Sequence, residues 1–289
     1  MLPSVVDLRA HIAGKFEGKT VTPFPSPHLI ISDFLPQEVF DQIQRFNPFM
    51  SGRNRGKEMI DSQMMKKKRQ DTPYDRRKQI DIEKDDINLD AEGERFWAML
   101  GEAFMGDDWF AKLVYKLYPP YFDLRFGECV LEPQFFSRLR RKLVVQRHDA
   151  GFRIGPHTDA PHRVFTAIFT FATRPGFEEY GTEFVRPRDP LVRCWGDLHH
   201  RAEDFDVVKV AKYSPNSFLV FFKTRQSFHS VKTLIADIPN DRYGAQLAYY
   251  EPSGGIFRDL SRPDLMENRT QAPIFKFDAF GRSLQLTRK

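Results

Sequence analysis

The chain has 289 residues, 41% of them apolar and 14% aromatic, with 28 phenylalanines, enough large side chains to close a substantial core and to exclude disorder over most of its length. Basic and acidic residues nearly balance, 44 against 39, so the net charge of +5 argues only weakly for an anionic partner. Two cysteines, Cys129 and Cys194, exclude a disulfide scaffold, and no run is long and apolar enough for a transmembrane helix. The opening MLPSVVDLRAHIAGK has no unbroken apolar signal-peptide core, so a cytoplasmic protein without a membrane partner is expected.

Taken in chain order, the Pro-rich TPFPSPH leads into an apolar strand at Leu29 to Ile31. Pro36 then suits a first helical position, and Val39, Phe40, Ile43 and Phe46 follow as one apolar stripe. Residues 51–89 are dense in charge and poor in periodicity, and read as a long, partly ordered basic excursion. A second helix is expected from Asp90, a good N-cap, with Phe96, Trp97, Leu100 and Phe104 facing inward. Gly93 in its first turn weakens it slightly. A third spans Asp107 to Leu117 with Trp109, Phe110, Leu113 and Val114. These stripes are read as core packing.

From about residue 138 the period changes to two. Strands are expected at Leu143–Gln146, Val164–Phe171, Thr182–Val185, Val207–Lys212, Ser217–Phe222, Ser230–Leu234 and Gly244–Tyr250. Gly, Pro, Asn and Asp clusters separate them, as in an antiparallel sandwich or barrel. The stretch Cys194–Asp206, with His199 and His200, reads as a loop, and residues 256–289 as a C-terminal extension.

The chemistry centres on Gly155-Pro156-His157-Thr158-Asp159. Residues i and i+2 of an extended chain point the same way, so His157 and Asp159 can converge on one ion. They would form two-thirds of a two-histidine, one-carboxylate facial triad, which holds Fe(II) with open positions. The triplet alone is weak and also fits a surface turn. Its context strengthens it: His229 opens a strand 70 residues after Asp159, where a neighbouring strand could supply the third ligand. Arg242 opens the next strand, and an arginine aimed into a barrel interior needs an anion, which its planar fork can grip by two hydrogen bonds. Gln146 and Arg147 precede the triplet on the incoming strand; Gln146 fits either a hydrogen bond to a bound molecule or a core contact. His148 and His162 flank the motif and could face the pocket, though strand-end histidines are more often simply hydrogen-bonded. No C-x-x-C, H-E-x-x-H, G-x-S-x-G or phosphate-binding loop motif is present.

The order of His157-Thr158-Asp159, Tyr180-Gly181-Thr182-Glu183-Phe184, Asn216 to Phe222, Phe228-His229-Ser230-Val231 and Arg242-Tyr243-Gly244 resembles the Fe(II)/2-oxoglutarate-dependent dioxygenases, in their prolyl-4-hydroxylase-like branch. The resemblance covers roughly residues 140–252. It implies an α+β, mainly β fold with a double-stranded β-helix (jelly-roll) core and N-terminal supporting helices. It implies iron ligation by His157, Asp159 and His229, and Arg242 on the distal carboxylate of 2-oxoglutarate, with ascorbate as an optional reductant. It implies O2 as co-substrate and hydroxylation of an unactivated C–H of a small-molecule, amino-acid or peptidyl substrate, with release of succinate and CO2. The carboxylate of Asp159 favours hydroxylation over halogenation, which in this family needs that position open. One departure is Gly244, where the family often has serine two residues after the arginine.

The expected organisation is a single catalytic domain over 1–289, with support at 1–137, a jelly-roll core at 138–252 and an extension at 253–289. The basic segment 51–80 is a candidate lid for an anionic substrate group, or simply a solvated loop. Two other readings stand beside the oxygenase. One is a non-catalytic basic β-sandwich that binds nucleic acid through Lys66-Lys67-Lys68-Arg69 and Arg76-Arg77-Lys78, although no alternating aromatics accompany those runs. The other is a metal-dependent cupin or hydrolase that uses no 2-oxoglutarate.

Overall fold

The computed structural model describes residues 3–50, 57–58, 76–194, 196, 198–238, 242–252, 275–277 and 283–286. Eight strands form the core: β4 (Arg140–His148), β5 (Ile154–His157), β6 (Arg163–Thr170), β7 (Thr182–Pro187), β8 (Phe205–Ala211), β9 (Ser217–Phe222), β10 (His229–Val231) and β11 (Arg242–Tyr250). Three precede them: β1 (His28–Ile31), β2 (Lys57–Glu58) and β3 (Arg77–Asp81). The larger sheet runs β1-β9-β6-β11-β4-β3-β2 and the smaller β5-β10-β7-β8, with every pairing antiparallel. From β4 to β11 the chain changes sheet at every step except β7 to β8. That order defines a double-stranded β-helix, as expected, with β1, β3 and β2 widening the larger sheet.

Alternation along the strands of the larger sheet separates two environments. On β11, Tyr243, Ala245, Leu247 and Tyr249 join a core with the helices, whereas Arg242, Gln246, Ala248 and Tyr250 line a cavity between the sheets. The helical side is built by α1 (Val5–Phe16), α2 (Gln37–Arg45), α3 (Ala91–Met105), α4 (Trp109–Leu117), α5 (Pro119–Phe126) and α6 (Phe135–Arg138). The aromatic stripes behave as read: Val39, Phe40, Ile43, Phe96, Trp97, Leu100 and Phe104 are buried in that core. Asp90 caps α3 by accepting from the Gly93 amide at 2.8 Å. Pro36 stands one position earlier than expected, as the N-cap residue of α2.

Within the basic excursion, Arg77–Asp81 pairs with β4 along its whole length, in keeping with a partly ordered segment. One expectation is corrected: the stretch Cys194–Asp206 is not wholly a loop, since His199 bridges to His157 and β8 starts at Phe205. Lys66, Lys67, Lys68 and Arg69 lie outside the described residues, as does most of the C-terminal extension, of which β12 (Phe275–Phe277) and β13 (Ser283–Leu286) pair antiparallel.

Candidate metal centre and co-substrate cavity

His157 ends β5 and His229 begins β10, and the two are direct partners across the antiparallel pair. Directly opposed residues project from the same face, which brings the imidazoles to 4.2 Å between ring centroids. Each ring is fixed in the same way. Nδ1 of His157 lies 2.9 Å from the Gly155 carbonyl, and Nδ1 of His229 lies 3.0 Å from the Ser227 carbonyl. A carbonyl only accepts, so Nδ1 carries the proton in both rings and Nε2 presents a lone pair. Asp159 Oδ1 stands 3.9 Å from His229 Nε2, and one ligand atom from each of the three residues lies within 4.8 Å of the others. Two neutral imidazoles and one carboxylate so arranged match the donor set of a non-haem Fe(II) site.

The protonation states favour a cation. Burial pushes both histidines below their ordinary range; at His157 the neighbouring His229 and His199 add to it, and at His229 the Asp159 carboxylate opposes it. At Asp159 burial acts upward, but the Arg163 guanidinium, the two histidines and the Thr166 hydroxyl outweigh it and hold the carboxyl well below the usual range. Thr166 Oγ1 donates to Asp159 Oδ2 at 2.5 Å, and Arg163 Nη1 stands 3.9 Å from the same oxygen. Arg163 is fixed by Tyr250, whose hydroxyl accepts from Nη2 at 2.8 Å beneath a ring 4.8 Å from the guanidinium. Oδ2 is thus engaged by protein, and Oδ1 is left to face the histidines. Behind the loop, Lys223 Nζ donates to the Thr158 hydroxyl, which donates to the Cys194 carbonyl. Gly196 closes the loop with φ +139°, and a Cβ there would fall 2.5 Å from the Asp159 carbonyl oxygen.

The cavity beside the three ligands has a volume of about 260 Å³. Arg242 forms part of its wall and is buried, with 7% of its surface exposed. Its Nε donates to the Tyr180 carbonyl at 2.8 Å, its Nη1 lies 3.2 Å from His148 Nδ1, and its guanidinium sits 5.8 Å from the Tyr213 ring centre. No carboxylate among the described residues pairs with it. Burial lowers its pKa to about 10, so it stays charged at neutral pH. Gln146 lines the same cavity, with Nε2 3.4 Å from Gln246 Oε1. Arg147 projects from the other face of β4 and pairs with Asp149 at 3.0 Å. Lys232 pairs with Glu179 at 3.3 Å, and neither cation lines the cavity.

Gly244 has a geometric reason. Built onto its backbone, a Cβ would fall 2.5 Å from the Phe169 carbonyl oxygen on β6, so the strand approach leaves no room for serine.

Several residues of the site escaped the sequence reading: Arg163, Thr166, Tyr250, Lys223 and Gln246. Arg163 and Thr166 are three apart, and only the turn after Asp159 brings both to its carboxylate. Of the basic run at Arg76-Arg77-Lys78, Arg77 lines the cavity and Lys78 pairs with Asp149 at 3.0 Å. His199 stacks on His157 with centroids 4.6 Å apart. His162 instead stacks on Tyr250, and it does not line the cavity.

No family model and no curated protein matches the sequence. Solved structures do match, and the three described next are 10–11% identical to this chain. A Pseudomonas putida prolyl-4-hydroxylase is 11% identical over 88% of this chain and 97% of its own, with a TM-score of 0.35. HygX from Streptomyces hygroscopicus, solved with nickel and 2-oxoglutarate, is 11% identical over 81% and 84%, with a TM-score of 0.42. The dioxygenase for auxin oxidation 1 from Arabidopsis thaliana, solved with 2-oxoglutarate, is 10% identical over 88% and 91%, with a TM-score of 0.43. These are distant likenesses; the jelly-roll assignment stands on the strand order, and the site on its own geometry. Among the described residues no helix is long and apolar enough to cross a membrane.

Proposed function

We propose that the chain is a non-haem Fe(II)/2-oxoglutarate-dependent oxygenase that hydroxylates an unactivated C–H, with His157, Asp159 and His229 as iron ligands and Arg242 as the anchor of the co-substrate. The observation that carries this reading is the pairing of two features across one cavity. A converging His-Asp-His set, with both histidine tautomers fixed for ligation, faces the same space as a buried arginine that no described carboxylate neutralises. A buried cation without a counter-ion is costly unless a ligand supplies the charge. A hydrolase or cupin reading accounts for the metal ligands but does not by itself call for a buried arginine facing them.

When bound, Fe(II) and 2-oxoglutarate together supply oxidative decarboxylation coupled to hydroxylation. The chain's own tasks are more limited. Gly155 and Ser227 carbonyls hold the ligand rings in register. Thr166 and Arg163 restrict Asp159 to one ligating oxygen. Arg242 directs the 2-oxo acid by its far carboxylate, and Gln146 offers its amide to the same molecule. The substrate is a small molecule, an amino acid or a peptide. Ascorbate would serve only to rescue oxidised iron.

Succinate release from 2-oxoglutarate by the Fe(II)-loaded protein is the direct test, first without substrate and then across a compound library. Absence of both succinate formation and 2-oxoglutarate binding by the metal-loaded protein would return the cupin or hydrolase reading. Retention of a nucleic-acid duplex by a protein that binds no metal would return the basic binding module.

A further inference from the structure

On the inward face of the larger sheet, Lys142 of β4, Ala248 of β11 and Thr166 of β6 are direct partners in a row across three strands. Thr166 holds Asp159, so the row reaches the candidate metal ligands at one end and Lys142 at the other. Two strand spacings, about 10 Å, separate the backbones at Lys142 and Thr166. The side chain between them is a single methyl group, which leaves the wall recessed beside Asp159. Lys142, Ala248 and Tyr250 all line the cavity there.

The recess offers hydrogen-bond donors. Lys142 Nζ stands 3.3 Å from Asp81 Oδ2, which takes one of its three hydrogens and leaves two. Asp81 has 8% of its side chain exposed against 37% for Lys142, and its other oxygen accepts from the Glu83 amide. The carboxylate is thus the covered anchor, and the ammonium is the part that faces the opening. Tyr250 lies diagonally across from Lys142, within reach of a long side chain. Its hydroxyl accepts from Arg163, and its own proton has no acceptor among the described residues. His162 stacks on its ring at 5.3 Å and 26°, which steadies it. An ammonium and a phenol so placed suit the two oxygens of a carboxylate.

Position separates this recess from the co-substrate. Arg242 and Ala248 are six residues apart on β11, about 20 Å along the strand. A 2-oxo acid gripped by Arg242 lies toward the start of β11 and leaves the recess free. The whole cavity measures about 260 Å³, below the roughly 300–1,000 Å³ usual for ligand pockets, so what enters beside the co-substrate is small.

We infer that Lys142, together with the Tyr250 hydroxyl, binds a carboxylate of the substrate, and that the compound hydroxylated is a small carboxylic acid, amino acids included. The inference rests on the oxygenase reading and narrows its substrate class.

The test uses a panel of linear, branched, aromatic and amino-substituted carboxylic acids, each beside its neutral primary amide. Succinate release by the Fe(II)-loaded protein at saturating 2-oxoglutarate is compared with the rate without additive. At least one acid is expected to accelerate release, and its amide to act with a kcat/KM lower by about tenfold or more. Lys142→Met should raise the KM for that acid by about tenfold or more with a smaller change in kcat, and Lys142→Arg should recover part of the loss. Lys142→Met leaves Asp81 covered without its cation, so the double variant Lys142→Met with Asp81→Asn, which removes both charges, is measured beside it and should show the same rise in KM. Amides as effective as acids, no acceleration by any acid, or an unchanged KM in both variants overturns the inference. An equal loss of 2-oxoglutarate affinity also overturns it, since the ion pair would then act through the fold. A wild type that neither releases succinate nor binds 2-oxoglutarate overturns the oxygenase reading and this inference with it; a wild type that does both, with amides as effective as acids, overturns the inference alone.

Discussion

The two faces of the larger sheet are both shielded from bulk water, yet they are composed differently. Toward the helices, β4, β6, β9 and β11 present Leu143, Val145, Phe165, Ala167, Phe169, Val220, Leu247 and Tyr249, with charge on β4 only toward its ends, at the half-buried Arg141 and Arg147. Toward the smaller sheet, the alternate positions present Gln146, His148, Thr166, Gln246 and Arg242. A strand that serves only packing has no reason to carry glutamine, histidine and arginine on a covered face, because each buried polar group needs a partner. The difference marks the inward face as the one that handles a ligand. It follows that changes on one face should alter binding and chemistry at nearly constant stability, while changes on the other should do the reverse.

The largest effect expected is at the ligands. His157→Ala, Asp159→Ala or His229→Ala should abolish iron binding and turnover while the thermal midpoint of the metal-free protein moves little. Full activity in His229→Ala would remove the triad, because the described residues contain no other group of three such ligands. On the opposite face, Phe165→Ala empties a fully buried site that stacks on Tyr249 at 4.5 Å and should cost roughly 3–5 kcal/mol in chemical denaturation. Whatever protein remains folded should keep its affinity for 2-oxoglutarate; a selective loss of that affinity would blur the two faces into one.

Arg242→Ala comes next. Removing one partner of a buried charge pair costs roughly 3–5 kcal/mol, so the apparent affinity for 2-oxoglutarate should fall by at least about a hundredfold. Arg242→Lys should recover only part, since an ammonium lacks the planar fork. Smaller still is Thr166→Val, which keeps the shape of the side chain and deletes the hydrogen bond to Asp159 Oδ2. Outer contacts of this kind typically change metal affinity by about 10- to 100-fold. Competition between the protein and a chelator would measure it, and an unchanged affinity would assign the support of Asp159 to Arg163 alone.

The same comparison explains what the sequence disclosed. His157 and Asp159 stood out by their i, i+2 spacing, and His229 and Arg242 by each opening a strand, Arg242 that of the plainly apolar β11. The strand β3 was not legible: in Arg77-Lys78-Gln79-Ile80-Asp81 the inward positions are polar and only Ile80 is a deeply buried apolar residue. Period-two reading assumes that the buried face is apolar, which fails where the buried face is a binding wall. The strand β5 was hidden for another reason, since Ile154-Gly155-Pro156-His157 has no β-forming run. It survives because it is an edge strand, where the amide that proline lacks is not needed for the ladder. The helix α1 was overlooked although Leu8, Ile12 and Phe16 recur at fourfold spacing behind the capping box of Ser4 and Asp7.

A last expected effect concerns His28 on β1, which packs against Phe184 of the smaller sheet and does not line the cavity. It is wholly buried, it stacks on Phe184 at 4.3 Å, and its Nδ1 lies 2.8 Å from the Ser26 carbonyl. Burial lowers its pKa from 6.5 to about 4, the Ser26 hydrogen bond opposes this, and the Lys209 charge adds to it. The sign follows from linkage. The unfolded chain takes up a proton here as pH falls through 6.5, while the folded protein declines it until about 4. The contribution is therefore complete above the unfolded value and is lost as pH falls through the window between the two, by at most about 3 kcal/mol at 1.36 kcal/mol per unit. Other carboxylates and histidines titrate there too, so the informative quantity is a difference. Urea midpoints of the metal-free wild type and of His28→Phe, measured at about pH 7.5 and about pH 5, should show a smaller acid-induced drop in the variant. Equal drops would mean that His28 is protonated in the folded state as readily as in the unfolded chain. The surroundings of His28 would then be wet, and the contrast between packed and ligand-binding parts of the interior would fail.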